Sequence, residues 1–229
     1  MAKRFGVLAA LALPATLPAA TPKLPPDAPV CARPGTQPIF LSPMGEPFRG
    51  QPGQPYPSAA WFAGADKDHD GFVGHDEFVA DALRFFETLD TNHDGKLTPD
   101  EVGHYEAVIA PETSLYSAHS DDFIYNHSRR EQDRGAMADS RDYGGPMGAG
   151  RYAWLNVPEP VAAADQDVDR VVTRDEFATA AASTFNRLDV LNRDKFRLSD
   201  LPRTPQQAAI EGPCRPPRKR KGRDQEWFG

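Results

Sequence analysis

Twelve residues, 78–89, separate two acidic twelve-residue stretches, "DKDHDGFVGHDE" at 66–77 and "DTNHDGKLTPDE" at 90–101. A helix of that length is about 18 Å long, and two helices with a turn do not fit in it. One helix must therefore leave the first stretch and enter the second. Phe78, Ala82, Phe85, Phe86 and Leu89 fall at helical spacing and give that helix a core-facing stripe. Loops at opposite ends of one helix cannot face each other. Each is expected to pair with a segment from elsewhere in the chain, and Val73 bridged directly to Leu97 would contradict this.

The chain supplies such segments. At an offset of 99 residues, Glu77-Phe78 lines up with Glu176-Phe177, Phe86 with Phe185, and Leu89-Asp90 with Leu188-Asp189. The stretches "DQDVDRVVTRDE" at 165–176 and "DVLNRDKFRLSD" at 189–200 begin 24 residues apart, as the first two do. A shared inner spacing and a shared offset read as duplication. Phe177, Ala181, Phe185 and Leu188 repeat the apolar stripe. The expected fold is all-α, with two duplicated blocks at 59–110 and 159–202 and four loops between helices.

Acidic residues at positions 1, 3, 5 and 12, with glycine at 6, suit a hard cation that takes six to eight oxygens at about 2.3–2.6 Å. Alternate side chains point inward, glycine permits the sharp turn, position 7 offers its carbonyl, and position 12 gives both carboxylate oxygens. The first loop would use Asp66, Asp68, Asp70, the Phe72 carbonyl, a water at Gly74, and Glu77. The second would use Asp90, Asn92, Asp94, the Lys96 carbonyl, Thr98 and Glu101. The third has Asp165, Asp167, Asp169, the Val171 carbonyl, Thr173 and Glu176, with Arg170 in place of the glycine. That substitution strains a left-handed backbone by roughly 1 kcal/mol and adds a positive charge, so weaker binding is expected there. The fourth keeps Asp189 and Asp200 but has Leu191 and Arg193 at positions 3 and 5, too few oxygens to bind. Its Phe196 still fills the apolar position 8 held by Val73, Leu97 and Val172 in the other loops. "TPDE" at 98–101 and "TRDE" at 173–176 are capping boxes, so cap and cage share one glutamate.

These loops resemble the EF-hand superfamily, the helix–loop–helix motif that binds Ca2+. The "FLSPMGEPFRG" stretch at 40–50 is similar to that of exported bacterial EF-hand proteins. The resemblance implies calcium as the cofactor.

The flanks set the context. "MAKRFGVLAALALPATLPAA" at 1–20 has two basic residues, a short apolar run and then small residues, the pattern of a secretory signal. Residues 21–58 form an extended Pro-rich lead-in, 111–158 a polar insert and 203–229 a basic tail. Cys31 and Cys214, the two cysteines, are expected to bond in an oxidising compartment. The formal net charge is −7 although the tail is basic, so the remainder is strongly acidic, which argues against nucleic-acid binding. The tail reads as a solvated segment, with contact to an anionic surface as the alternative. His69 and His93 occupy loop position 4 and His75 position 10, none a ligand position. No catalytic set stands out. The function expected is that of an exported calcium-stabilised binding or adaptor protein, possible partners including a protein. A calcium sensor that exposes an apolar face, or an enzyme with structural calcium, are the other readings.

Overall fold

The computed structural model describes residue 24 and residues 28–114 and 146–216. The signal-like segment, most of the polar insert and the last thirteen residues of the basic tail lie outside the described residues. Among the described residues, no helix is long and apolar enough to cross a membrane.

The lead-in does more than extend. β1 (Ile39–Leu41) pairs antiparallel with β2 (Pro47–Arg49), placing Phe40 opposite Phe48. All three β1 residues are buried, and Phe40 stacks against Trp61 and Trp154 at 5.9 and 4.7 Å between ring centroids. Pro47, which has no N–H, is accommodated because this two-stranded sheet leaves each strand an unpaired edge. The turn between the strands is held by Tyr105, whose hydroxyl donates to the Gly45 carbonyl at 2.8 Å. Gly45 has φ +97, and a Cβ there would lie 2.5 Å from that same hydroxyl, so the turn needs glycine twice over.

The helical part begins with α1 (Ser58–Ala65) and continues through α2 (His75–Leu89), α3 (Pro99–His104), α4 (Arg174–Leu188) and α5 (Pro205–Glu211). α3 runs on into a π-helical turn, Tyr105–Ile109. Helices dominate, as expected, with short strands inserted: β3 (Val73–Gly74), β4 (Lys96–Leu97), β5 (Val172–Thr173) and β6 (Lys195–Phe196). Residues 78–89 form part of one helix, as their number requires.

That helix settles the pairing. β3 pairs with β6, putting Val73 opposite Phe196, and β4 pairs with β5, putting Leu97 opposite Val172. The start of α2 thus meets the end of α4, and its end meets the start of α4, so the two helices run antiparallel. Their stripes form the core: Phe78 meets Phe185 at 5.7 Å and Phe86 meets Phe177 at 5.5 Å. Adding the offset of 99 exchanges these two ring pairs and likewise the two strand pairs. Every stripe residue is buried. The carboxylate of Asp81, at 6 % exposure, is retained in this apolar setting by two partners: Trp61 Nε1 donates to it at 2.9 Å and Arg84 Nε at 3.0 Å. Arg84 also reaches Glu46 in the hairpin turn, joining α1, α2 and the hairpin.

The chain ends and the flanks of the insert are packed as well. Cys31 and Cys214 form a disulfide with Cα atoms 4.9 Å apart. Beside it Cys31 N donates to the Arg215 carbonyl at 2.8 Å and Arg215 N to the Pro29 carbonyl at 2.7 Å. α5 lies inside the segment read as a tail. It is capped by Thr204, whose hydroxyl accepts from Gln207 N. It docks through buried Gln206, whose Oε1 accepts from Ile39 N at 2.6 Å. At the base of the insert, buried Arg151 donates to the carbonyls of Glu112, Ser114 and Gly148, clasping the outgoing and returning strands of chain together. Glu112 in turn is held by the Arg49 fork at 2.7 and 2.8 Å.

Phe78 touches the rings of Trp61, Phe185 and Phe196 and is fully enclosed. Phe78→Ala is expected to lower the free energy of unfolding by about 3–5 kcal/mol, measured by urea titration.

Candidate metal centre

The three loops at 66–77, 90–101 and 165–176 share one scaffold of backbone N–H donors. In each, the position-1 carboxylate accepts from the N–H of positions 5 and 6, through Asp66, Asp90 and Asp165. The position-3 oxygen, of Asp68, Asn92 or Asp167, accepts from position 5 at 3.0 to 3.1 Å. The position-5 carboxylate, of Asp70, Asp94 or Asp169, accepts from the N–H of Phe72, Lys96 or Val171 at 2.8 to 3.0 Å. The position-12 glutamate spans the loop: Glu77, Glu101 and Glu176 each accept from position 2 on one oxygen and from position 9 on the other. These bonds draw the carboxylates inward before any cation is considered. The position-1 aspartates Asp66 and Asp90 are buried at 6 and 1 %, while positions 3 and 5 face solvent.

The donor set fits calcium. In the first and third loops one oxygen from each of Asp66, Asp68 and Asp70, and from each of Asp165, Asp167 and Asp169, lies within 4.8 Å of the others. Oxygens around one calcium ion are separated by at most about 5 Å, twice the metal–oxygen distance. The second loop has the same backbone scaffold, with an amide oxygen at Asn92. The threonines have a prior engagement. Thr98 Oγ1 donates to Glu101 Oε2 at 2.9 Å, and Thr173 Oγ1 to Glu176 Oε2 at 2.7 Å. The hydroxyls that close the capping boxes are thus tied to the position-12 carboxylate. Those bonds from Thr173, side chain and backbone, hold the Glu176 carboxyl down at about 2. Burial works to raise the Glu101 carboxyl, but the bonds from Thr98 and Thr91 prevail and lower it.

The fourth loop keeps the shape and loses the chemistry. Asp189 accepts from the N–H of Arg193 and Asp194, both at 2.7 Å, but position 3 is Leu191 and supplies no oxygen. Asp189 Oδ1 is buried with no hydrogen-bond partner among the described residues.

Left-handed backbone recurs at two places in all four loops. Position 6 has φ +82, +79, +73 and +54 at Gly71, Gly95, Arg170 and Asp194, so Arg170 adopts the conformation glycine would supply. Position 4 has φ +59, +58, +63 and +48 at His69, His93, Val168 and Asn192. The acidic pattern carries no mark of this second requirement. Histidine and asparagine tolerate it, whereas a β-branched valine is strained by it. His75 is also more than a surface residue, since its ring meets the edge of Phe185 at 5.3 Å.

Glu159 stands before the 3-10 turn Ala162–Ala164 that leads into the third loop, accepting from the N–H of Val161 and Ala162. Burial raises its carboxyl to about 7, against the pull of those two bonds. A carboxyl raised in the folded state favours folding below its ordinary range near 4.3 and loses that contribution as pH climbs to about 7. Glu159→Gln is expected to abolish about 1–3 kcal/mol of stability loss between pH 4.5 and 8. Paired urea titrations in calcium-free buffer at the two pH values measure it. In the third loop, Arg170→Gly is expected to stabilise the metal-free protein by up to about 1 kcal/mol, seen as a higher urea midpoint.

The family model described as EF hand matches residues 59–80 and 84–103. The first match runs from α1 through the first loop into α2, and the second from within α2 through the second loop into α3. No curated protein and no solved structure matches the chain. EF hands are calcium-binding modules rather than catalytic ones. Residues 59–80 and 84–103 therefore match as a tandem of EF hands sharing one helix.

Proposed function

We propose that this is an exported calcium-binding protein in which the ion stabilises a binding or adaptor module, rather than driving a switch. In this reading the block at 159–202 is a duplicate EF-hand block. The loops at 66–77, 90–101 and 165–176 each take one calcium, and the loop at 189–200 takes none. The observation that carries it is the pairing of every loop with one from the other block, Val73 with Phe196 and Leu97 with Val172. A cation in any of the three loops then tightens a seam between blocks whose apolar stripes already face each other. The sensor reading asks those same stripes to open to solvent. The Cys31–Cys214 disulfide supports an oxidising, extracytoplasmic setting. In such compartments calcium sites work on the order of 0.1–1 mM.

Calorimetric titration of calcium into the metal-free protein is expected to show three sites, with Glu77→Gln, Glu101→Gln and Glu176→Gln each removing one. At about 10 mM calcium each site should add about 1.4–2.7 kcal/mol of stability, read as a rise in Tm. A dye that reports exposed apolar surface should not brighten on calcium addition. Brightening would favour the sensor, and no calcium uptake at millimolar concentration would refute the function altogether.

A further inference from the structure

The first loop faces the fourth across β3 and β6, and the facing stretch of the fourth loop carries three cations at alternate positions, Arg193, Lys195 and Arg197. Each is placed differently. Arg193 turns back on its own loop, its Nη2 donating to Asp200 Oδ2 at 2.6 Å, so a guanidinium satisfies the position-12 carboxylate there. Lys195 and Arg197 cross the seam instead. Lys195 Nζ lies 4.0 Å and Arg197 Cζ 4.3 Å from the centre of the Phe72 ring, whose residue sits at position 7 of the first loop. Lys195 Nζ also lies 3.3 Å from Asp70 Oδ2.

The choice of oxygen matters. Asp70 Oδ1 already accepts from Phe72 N at 2.8 Å, so Oδ2 is the oxygen left for a further ligand, and an ammonium holds it. In the second loop the corresponding Asp94 Oδ2 accepts, among the described residues, from the neutral amide of Asn92. The third-loop cluster faces β4, whose Lys96 pairs with Thr173.

We propose that Lys195 sets the calcium affinity of the first loop by competing with the ion for Asp70. The fourth loop, having lost its own ligands, serves as a built-in counter-ion to the loop it faces. This rests on the reading that Asp70 is a calcium ligand. As an exposed ion pair, Lys195–Asp70 contributes little to the fold itself. A doubly charged ion held by Asp70 would be repelled by the same ammonium. The cation–π contact with Phe72 keeps it within reach after Asp70 is surrendered. Calcium therefore arrives at the first loop against a penalty absent from the second, and its binding moves Lys195 on the opposite block.

The test uses the full chain with the second and third loops disabled by Glu101→Gln and Glu176→Gln, so that calorimetry reads the first loop alone. Adding Lys195→Met, which keeps the apolar stem, should tighten calcium binding about 3–10-fold in 20 mM KCl, and the gain should shrink in 500 mM KCl. Lys195→Arg should bind like the parent. Arg174→Gln, which removes the same charge at the far end of α2, should also leave affinity unchanged. Equal or weaker binding by Lys195→Met at low salt overturns the proposal. If the parent with the first loop intact binds no calcium, the ligand assignment itself is wrong and the inference falls with it. Lys195→Met in the chain with Glu77→Gln alone gives a second check. There the two remaining sites should titrate unchanged, and any tightening of them would show a general charge effect and overturn the local one.

Discussion

Everything in this molecule depends on the shortness of one helix. Because α2 both leaves the first loop and enters the second, the two EF hands cannot close on each other, and each must find its partner across the core. That requirement turns two marginal helical segments into one structure. α4 lies antiparallel to α2, its rings interleave with those of α2, and the short β bridges at both ends fix the register. Each block covers the rings of the other, Phe78 and Phe86 on one side and Phe177 and Phe185 on the other, and separating them would expose all four.

Within the loops, the carboxylates serve shape as well as charge. Each position-1 aspartate accepts two backbone N–H groups, and each position-12 glutamate accepts from both ends of its loop. These contacts offset part of the repulsion among crowded anions and leave the loop formed in advance of its ion. The fourth loop, with Leu191 at position 3, has the same two left-handed residues and the same apolar position 8, because the strand pairing needs them whether or not a cation is bound.

Much of this was legible because it follows from spacing. The single connecting helix, the apolar stripes, the two capping boxes, the disulfide and the cross-block pairing all derive from residue intervals or from residue types with few alternatives. What escaped depends on three-dimensional neighbours. The hairpin at 39–49 is buried because Trp61 and Trp154, distant in sequence, close over Phe40. The helix at 205–211 docks because Gln206 finds the N–H of Ile39, a contact no local pattern announces. The left-handed demand at position 4 was hidden because histidine and asparagine meet it without strain, so only Val168 betrays it. Lys195 and Arg197 carried no signal in the sequence, and their contacts with Phe72 and Asp70 emerge only once the strand pairing sets them there.

The Cys31–Cys214 bond, with the main-chain contacts of Pro29, Cys31 and Arg215 around it, brings the first and last parts of the packed body to a single point. A load applied through the two ends of the chain therefore never reaches the helices. It is carried by a covalent link at one corner of the molecule, and the seam between the loops stays mechanically idle. Reduction of that one bond is what would put the core in series with the force.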